Sequence, residues 1–78
     1  MPYKYEDFRK VLVRLGFILK RSRKHETWEK RLPDGRILRV SIKHQRGKDI
    51  PRWLFSKMLK QADIEDEEEF IRILKGKT

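Results

Sequence analysis

Apolar residues recur along this chain with two different periods, and the switch between periods marks out its elements. Phe8, Val11, Leu12 and Leu15 fall at i, i+3, i+4 and i+7, one stripe of a helix from about Tyr5 to Leu15. Gly16 follows, a residue that tolerates the left-handed conformation common at helix ends. Phe17-Ile18-Leu19-Lys20-Arg21 then reads as a first strand and His25 to Arg31 as a second, joined through Ser22-Arg23-Lys24. Leu32-Pro33-Asp34-Gly35-Arg36 is a strong turn signal: proline presets the second turn position, aspartate suits the third, and glycine takes the positive φ that closes a hairpin loop. From Ile37 to Ile42 a third strand alternates, with Leu38, Val40 and Ile42 on one face.

With Pro33, Asp34 and Gly35 as the loop, Leu32 pairs with Arg36, and counting back sets Trp28 opposite Val40, Thr27 opposite Ser41 and His25 opposite Lys43. Successive strand residues point to opposite faces, so Trp28 joins Leu38, Val40 and Ile42 on the core side. His25, Thr27 and Glu29 share the other side with Arg39, Ser41 and Lys43. The same register puts Arg39 opposite Glu29, where a cross-strand ion pair would satisfy it.

Residues 43–50 carry charge and glycine without periodicity and read as a loop, and Asp49-Ile50-Pro51 resembles a helix entry with proline in the first turn. The second helix places Leu54, Phe55, Met58, Leu59 and Ala62 on its apolar stripe and leaves Arg52, Trp53, Ser56, Lys57 and Lys60 outside. A third, short helix begins in the Glu65 to Glu69 run and is expected to pack through Phe70, Ile71 and Leu74. Carboxylates in a first turn interact favourably with the helix dipole, so the acidic run reads as a cap in preference to a metal site. The order α-β-β-β-α with an extra C-terminal helix predicts an α+β fold: a three-stranded antiparallel sheet with helices on one face and the other face open. No repeat or linker divides residues 1–78, which read as one domain.

Charge sharpens this picture. Of the net +9, residues 63–78 hold six carboxylates against Arg72, Lys75 and Lys77, a net −3, so the first 62 residues carry +12. Such a body attracts phosphate backbones through counterion release. An anionic membrane surface is the weaker match, because no long basic amphipathic helix with an aromatic-rich face is present. The longest uncharged stretch, Leu15 to Leu19, is too short to span a bilayer, and charges interrupt the first 30 residues where a signal peptide would lie, so the expected compartment is the cytoplasm. The absence of cysteine removes disulfides, a thiolate nucleophile and a cysteine zinc cluster, and 78 residues give too little core to enclose a deep cofactor pocket. No cofactor or metal is expected, only a shallow surface site.

A histidine among cations facing a polyanion is the minimum equipment for cutting RNA. The ordinary imidazole pKa of about 6.5 suits proton transfer near neutrality, and fixed cations suit the charge that develops on phosphorus. His25 is therefore the candidate general base or acid, with Arg23, Lys24, Arg39 and Lys43 as candidates for holding phosphate. His44, in the loop after the third strand, reads as a contact to phosphate or to a protein partner, and Arg46 and Lys48 as backbone-phosphate contacts. Trp28 belongs to the core by parity, whereas Trp53, off the apolar stripe, is a candidate anchor for a protein partner.

Several of these motifs occur together in one known family. Leu15-Gly16-Phe17, His25 followed three positions later by Trp28, Pro33-Asp34-Gly35-Arg36, and above all Gly47-Lys48-Asp49-Ile50-Pro51 leading to Met58-Leu59-Lys60-Gln61-Ala62 resemble the HicA (YcfA-type) toxins of bacterial HicAB toxin–antitoxin systems. The resemblance covers nearly the whole chain. It implies a fold like that of double-stranded-RNA-binding domains and a type II toxin that is an mRNA interferase, an endoribonuclease needing no metal, with His25 as its single catalytic histidine. It also implies single-stranded mRNA as target and a HicB-like antitoxin as partner. The family usually has Gly-Ser-His or Gly-Gly-His where this chain has Arg23-Lys24-His25, with two fewer residues between the histidine and the hairpin proline, and commonly glycine where it has Trp53. The alternative, from a different class, is a non-catalytic RNA-binding module or a degenerate toxin that keeps only binding. Fold alone does not separate these.

Overall fold

Helix α1 (Tyr5–Leu15) starts where Asp7, in the first turn, accepts the Lys4 backbone N–H at 3.0 Å. It stops at Gly16, whose φ of 95° lets its own N–H reach the Val13 carbonyl and the Phe17 N–H reach that of Leu12 at 2.9 Å. That reversal turns Phe17 into the core, so strand β1 (Ile18–Ser22) begins and ends one residue later than the apolar run suggests. The computed structural model describes residues 3–44 and 47–76.

Strands β1, β2 (His25–Arg31) and β3 (Ile37–Lys43) form an antiparallel sheet in that order. The Pro33-Asp34-Gly35 loop closes as expected: Leu32 N–H donates to the Arg36 carbonyl at 2.8 Å, and Gly35 has φ 93°. The register follows, with Trp28 opposite Val40, Thr27 opposite Ser41 and His25 opposite Lys43. Between β1 and β2 the ladder is irregular. Leu19 pairs with Trp28 but Arg21 pairs with Thr27, which leaves Lys20 as the extra residue of a β-bulge.

Helix α2 (Arg52–Gln61) does not begin as the sequence suggests. Asp49 forms an antiparallel bridge with Lys4, Ile50 N–H donates to the Tyr3 carbonyl at 2.7 Å, and Pro51, with ψ 144°, is the cap residue. A residue before proline is pushed toward extended backbone, so the chain stays strand-like up to Pro51 and pairs with the N-terminal segment. Phe55, Met58, Leu59 and Ala62 are buried as the stripe predicts, with Leu54 at its margin. Gln61 accepts the N–H of Ser41 at 3.5 Å along the β3 edge of the sheet.

Helix α3 (Glu67–Leu74) is capped by Asp66, whose carboxylate accepts the Glu69 N–H at 2.9 Å, and Glu67, Glu68 and Glu69 fill its first turn. Its packed side is Phe70, Ile73 and Leu74, where Ile71 was expected in place of Ile73. Counted from the fully buried Phe70, the helical i+3 and i+4 positions are Ile73 and Leu74, and Ile71 is rotated away. Arg14 of α1 reaches the far end and donates to the carbonyls of Ile73 and Leu74 in its last turn, where the Ile73 carbonyl also accepts the Gly76 N–H at 3.0 Å.

The helices meet the sheet through Phe8, Val11 and Leu12 of α1, Phe55 and Met58 of α2, and Trp28, Val40 and Ile42 of the sheet. Phe55 and Phe70 pack edge to face with ring centroids 4.9 Å apart, and Phe8 lies 5.2 Å from Phe70. The α+β architecture with helices on one face, of the double-stranded-RNA-binding-domain type, leaves the face of His25, Thr27 and Glu29 uncovered. No helix among the described residues is long and apolar enough to cross a membrane.

Candidate active site

His25 opens β2 with its side chain exposed. Register sets it directly across from Lys43. The two line a shallow groove of about 160 Å³ with Ser41 of β3 and with Leu54, Lys57 and Gln61 of α2, so α2 forms one wall. The arrangement offers an imidazole, two ammonium groups and a hydroxyl on one open surface. Among the described residues no hydrogen bond or ion pair fixes the His25 ring.

Arg23 and Lys24 lie immediately before it in the β1–β2 turn, both exposed. The positive-φ residues outside glycine come down to Asp63 among the described residues, so this turn contains no left-handed residue. Arginine and lysine therefore enter it without the backbone penalty that would call for glycine. Arg39 shares the open face but is already engaged, its Nε 2.9 Å from Glu29 Oε2, as the register predicts.

The remaining sequence candidates lie elsewhere. Lys48 is exposed beside the Lys4–Asp49 bridge, its carbonyl accepting the Tyr5 N–H at 3.3 Å. The neighbouring Gly47 donates its N–H to both oxygens of Glu6, which holds that carboxyl below its ordinary range. Trp53 is 68% exposed on the outer side of α2. Arg46 lies outside the described residues.

His44 does not join His25. Its Nε2 is 3.3 Å from Ser22 Oγ and its Nδ1 3.5 Å from Glu26 Oε2. The centre of that cluster is a residue that motif reading passes over. Glu26 has the parity of Trp28 and so faces the core side, with 12% of its side chain exposed. A carboxylate placed there needs partners, and it has them: Arg9 Nε and Trp28 Nε1 each donate to Oε1 at 2.9 Å. Arg9 also donates to the Lys43 carbonyl at 3.0 Å, which ties α1 to both strands flanking the groove. The signal was available, since the hairpin register alone sets Glu26 opposite the buried Ile42.

Burial raises the Glu26 pKa, but the hydrogen bonds from Arg9 and Trp28 and the charge of Arg9 outweigh it and leave the group below its ordinary 4.5. A carboxyl whose folded pKa is depressed adds stability above its unfolded value and loses it as pH falls through the folded one. Glu26→Gln is therefore expected to cost about 1–3 kcal/mol near neutral pH. The gap to wild type should close as pH drops below 4.5. Urea midpoints measured across that range check it, and a gap that stays constant would deny Glu26 this role.

A family model described as the HicA toxin of bacterial toxin–antitoxin systems matches residues 5–64. The chain belongs to the HicA toxin family. Comparison with curated proteins and with solved structures gives no significant match. The HicA match runs from the first residue of α1 to the turn after α2 and includes His25, the hairpin and the Gly47–Pro51 segment, while α3 lies beyond it.

Proposed function

We propose that this HicA-family toxin is a metal-independent endoribonuclease that cleaves mRNA, with His25 as its proton-transfer group. The observation that carries the reading is the placement of His25 on the open sheet face, opposite Lys43 and beside Lys57 and Ser41. In such a groove the substrate's own 2′-hydroxyl attacks the adjacent phosphorus. His25 accepts the hydroxyl proton or returns one to the departing 5′-oxygen, and a cyclic phosphate forms as that bond breaks. Lys43 and Lys57, with Arg23 and Lys24 at the rim, offset the charge that builds on the phosphoryl oxygens.

Family membership and the basic character of the open face together support a HicB-like antitoxin as partner, an acidic surface that covers the groove and keeps it from RNA. Trp53 on α2 is the proposed anchor for that protein at the groove's outer wall.

A second reading, an RNA-binding module without catalysis, draws on the unrestrained His25 ring. A catalytic hydrogen bond often tightens only around bound substrate, so the free ring is compatible with either. Incubation of the purified protein with a single-stranded RNA oligonucleotide in a metal chelator separates them. The enzyme is expected to cut the RNA in chelator and to leave a 2′-deoxy copy of the same sequence whole. RNA that stays intact under conditions where it is bound overturns the catalytic reading in favour of the binding module.

A further inference from the structure

The bulge in β1 changes what the open face presents. In a regular strand Lys20 and Arg21 would point to opposite faces, and with Leu19 opposite Trp28 on the core side, Arg21 would face the core side too, opposite Glu26. The extra residue resets the alternation. Arg21 pairs with Thr27 on the open face, and Ser22 takes the position opposite Glu26. Both cations then line one groove of about 460 Å³ with Thr27, Glu29 and Arg39.

We propose that this groove is a second phosphate-binding station, formed by Lys20, Arg21 and Arg39, that grips the substrate RNA strand next to the His25 groove. The proposal rests on the ribonuclease reading for the identity of the substrate. The two grooves lie on the same face of the sheet: His25, Thr27 and Glu29 succeed one another along β2, and Lys43, Ser41 and Arg39 along β3. Each two-residue step spans about 7 Å, so a phosphate in the second groove lies about one to two nucleotides of extended strand from one at His25. Glu29 gives the station direction. By accepting from Arg39 Nε it holds the guanidinium across the strands, and its own charge turns an incoming phosphate toward Lys20 and Arg21.

An acidic polypeptide would meet the same charges, but every residue lining this groove is polar or charged. A protein anchor needs an apolar pocket, which this lining does not supply, whereas a phosphodiester needs only donors and positive charge.

The test measures binding of the whole protein to a single-stranded oligonucleotide with 2′-O-methyl sugars, which keeps every phosphate and has no 2′-hydroxyl to react. Loss of two phosphate contacts in Lys20→Ala/Arg21→Ala is expected to weaken binding and to reduce the slope of log K against log salt by about 1.4. The charge-matched control Lys10→Ala/Lys60→Ala, on exposed helix positions, should keep the parent slope. A thermal melt checks that each variant is folded. An unchanged slope in the folded Lys20/Arg21 variant overturns the proposal and leaves the groove to an acidic protein segment. The probe is never cut, so this outcome is independent of whether His25 is catalytic.

Discussion

His25→Ala is expected to lower the rate of RNA cleavage by about 10²–10⁴-fold, the usual contribution of a positioned proton-transfer group, and to abolish growth arrest, while changing the melting temperature little. The side chain is exposed, so removing it empties no core volume. Its cationic neighbours remain, so most RNA affinity should remain as well. Single-turnover cleavage, a thermal melt and RNA binding of the same preparation check the three parts together. A His25→Ala protein that cuts at the wild-type rate would move the chemistry elsewhere. His44→Ala supplies the contrast. Because His44 is held by Ser22 and Glu26, its loss should appear in stability before it appears in rate.

The second large effect concerns α3, which lies past the HicA match at residue 64. Phe70 is fully buried and its ring packs on Tyr3, Phe8 and Phe55, so α3 completes the same core that α1 and α2 build. Phe70→Ala is expected to destabilise the protein by about 3–5 kcal/mol, the range for emptying a buried aromatic site. In a small domain that is a large share of total stability. Denaturant titration gives the number directly. A loss below about 1 kcal/mol, the level typical of surface changes and weak contacts, would mean that α3 only rests against the core.

How legible the site was depends on which residues carried geometric constraints. The Pro33-Asp34-Gly35 loop has one length, and a strand has period two. One count from the loop therefore placed His25 against Lys43, Trp28 in the core and Glu29 against Arg39, all as observed. The β1–β2 connection has no such marker. Its two-residue link between Ser22 and His25 needs no glycine, and a bulge at Lys20 leaves no composition signal, so the face on which Arg21 lies was not readable. At Asp49-Ile50-Pro51 the local pattern of a helix entry was overridden by pairing with residues 3–5, a contact between distant segments. Glu26 was hidden for another reason. A carboxylate in a charged run looks solvated until the strand's parity is applied to it, and only then do Arg9 and His44 acquire a function in the fold.

The irregularity at Lys20 also bears on how the molecule behaves in company. β1 is the outer strand of an open sheet, a row of backbone donors and acceptors on which another copy could extend the ladder. A strand that is five residues long, bulged near its middle and lined with Lys20 and Arg21 makes a poor template, because an incoming chain meets a broken register and like charge at once. The feature that turns two cations toward one face therefore also acts against edge-to-edge aggregation, and at the opposite margin Gln61 does the same by occupying the free N–H of Ser41.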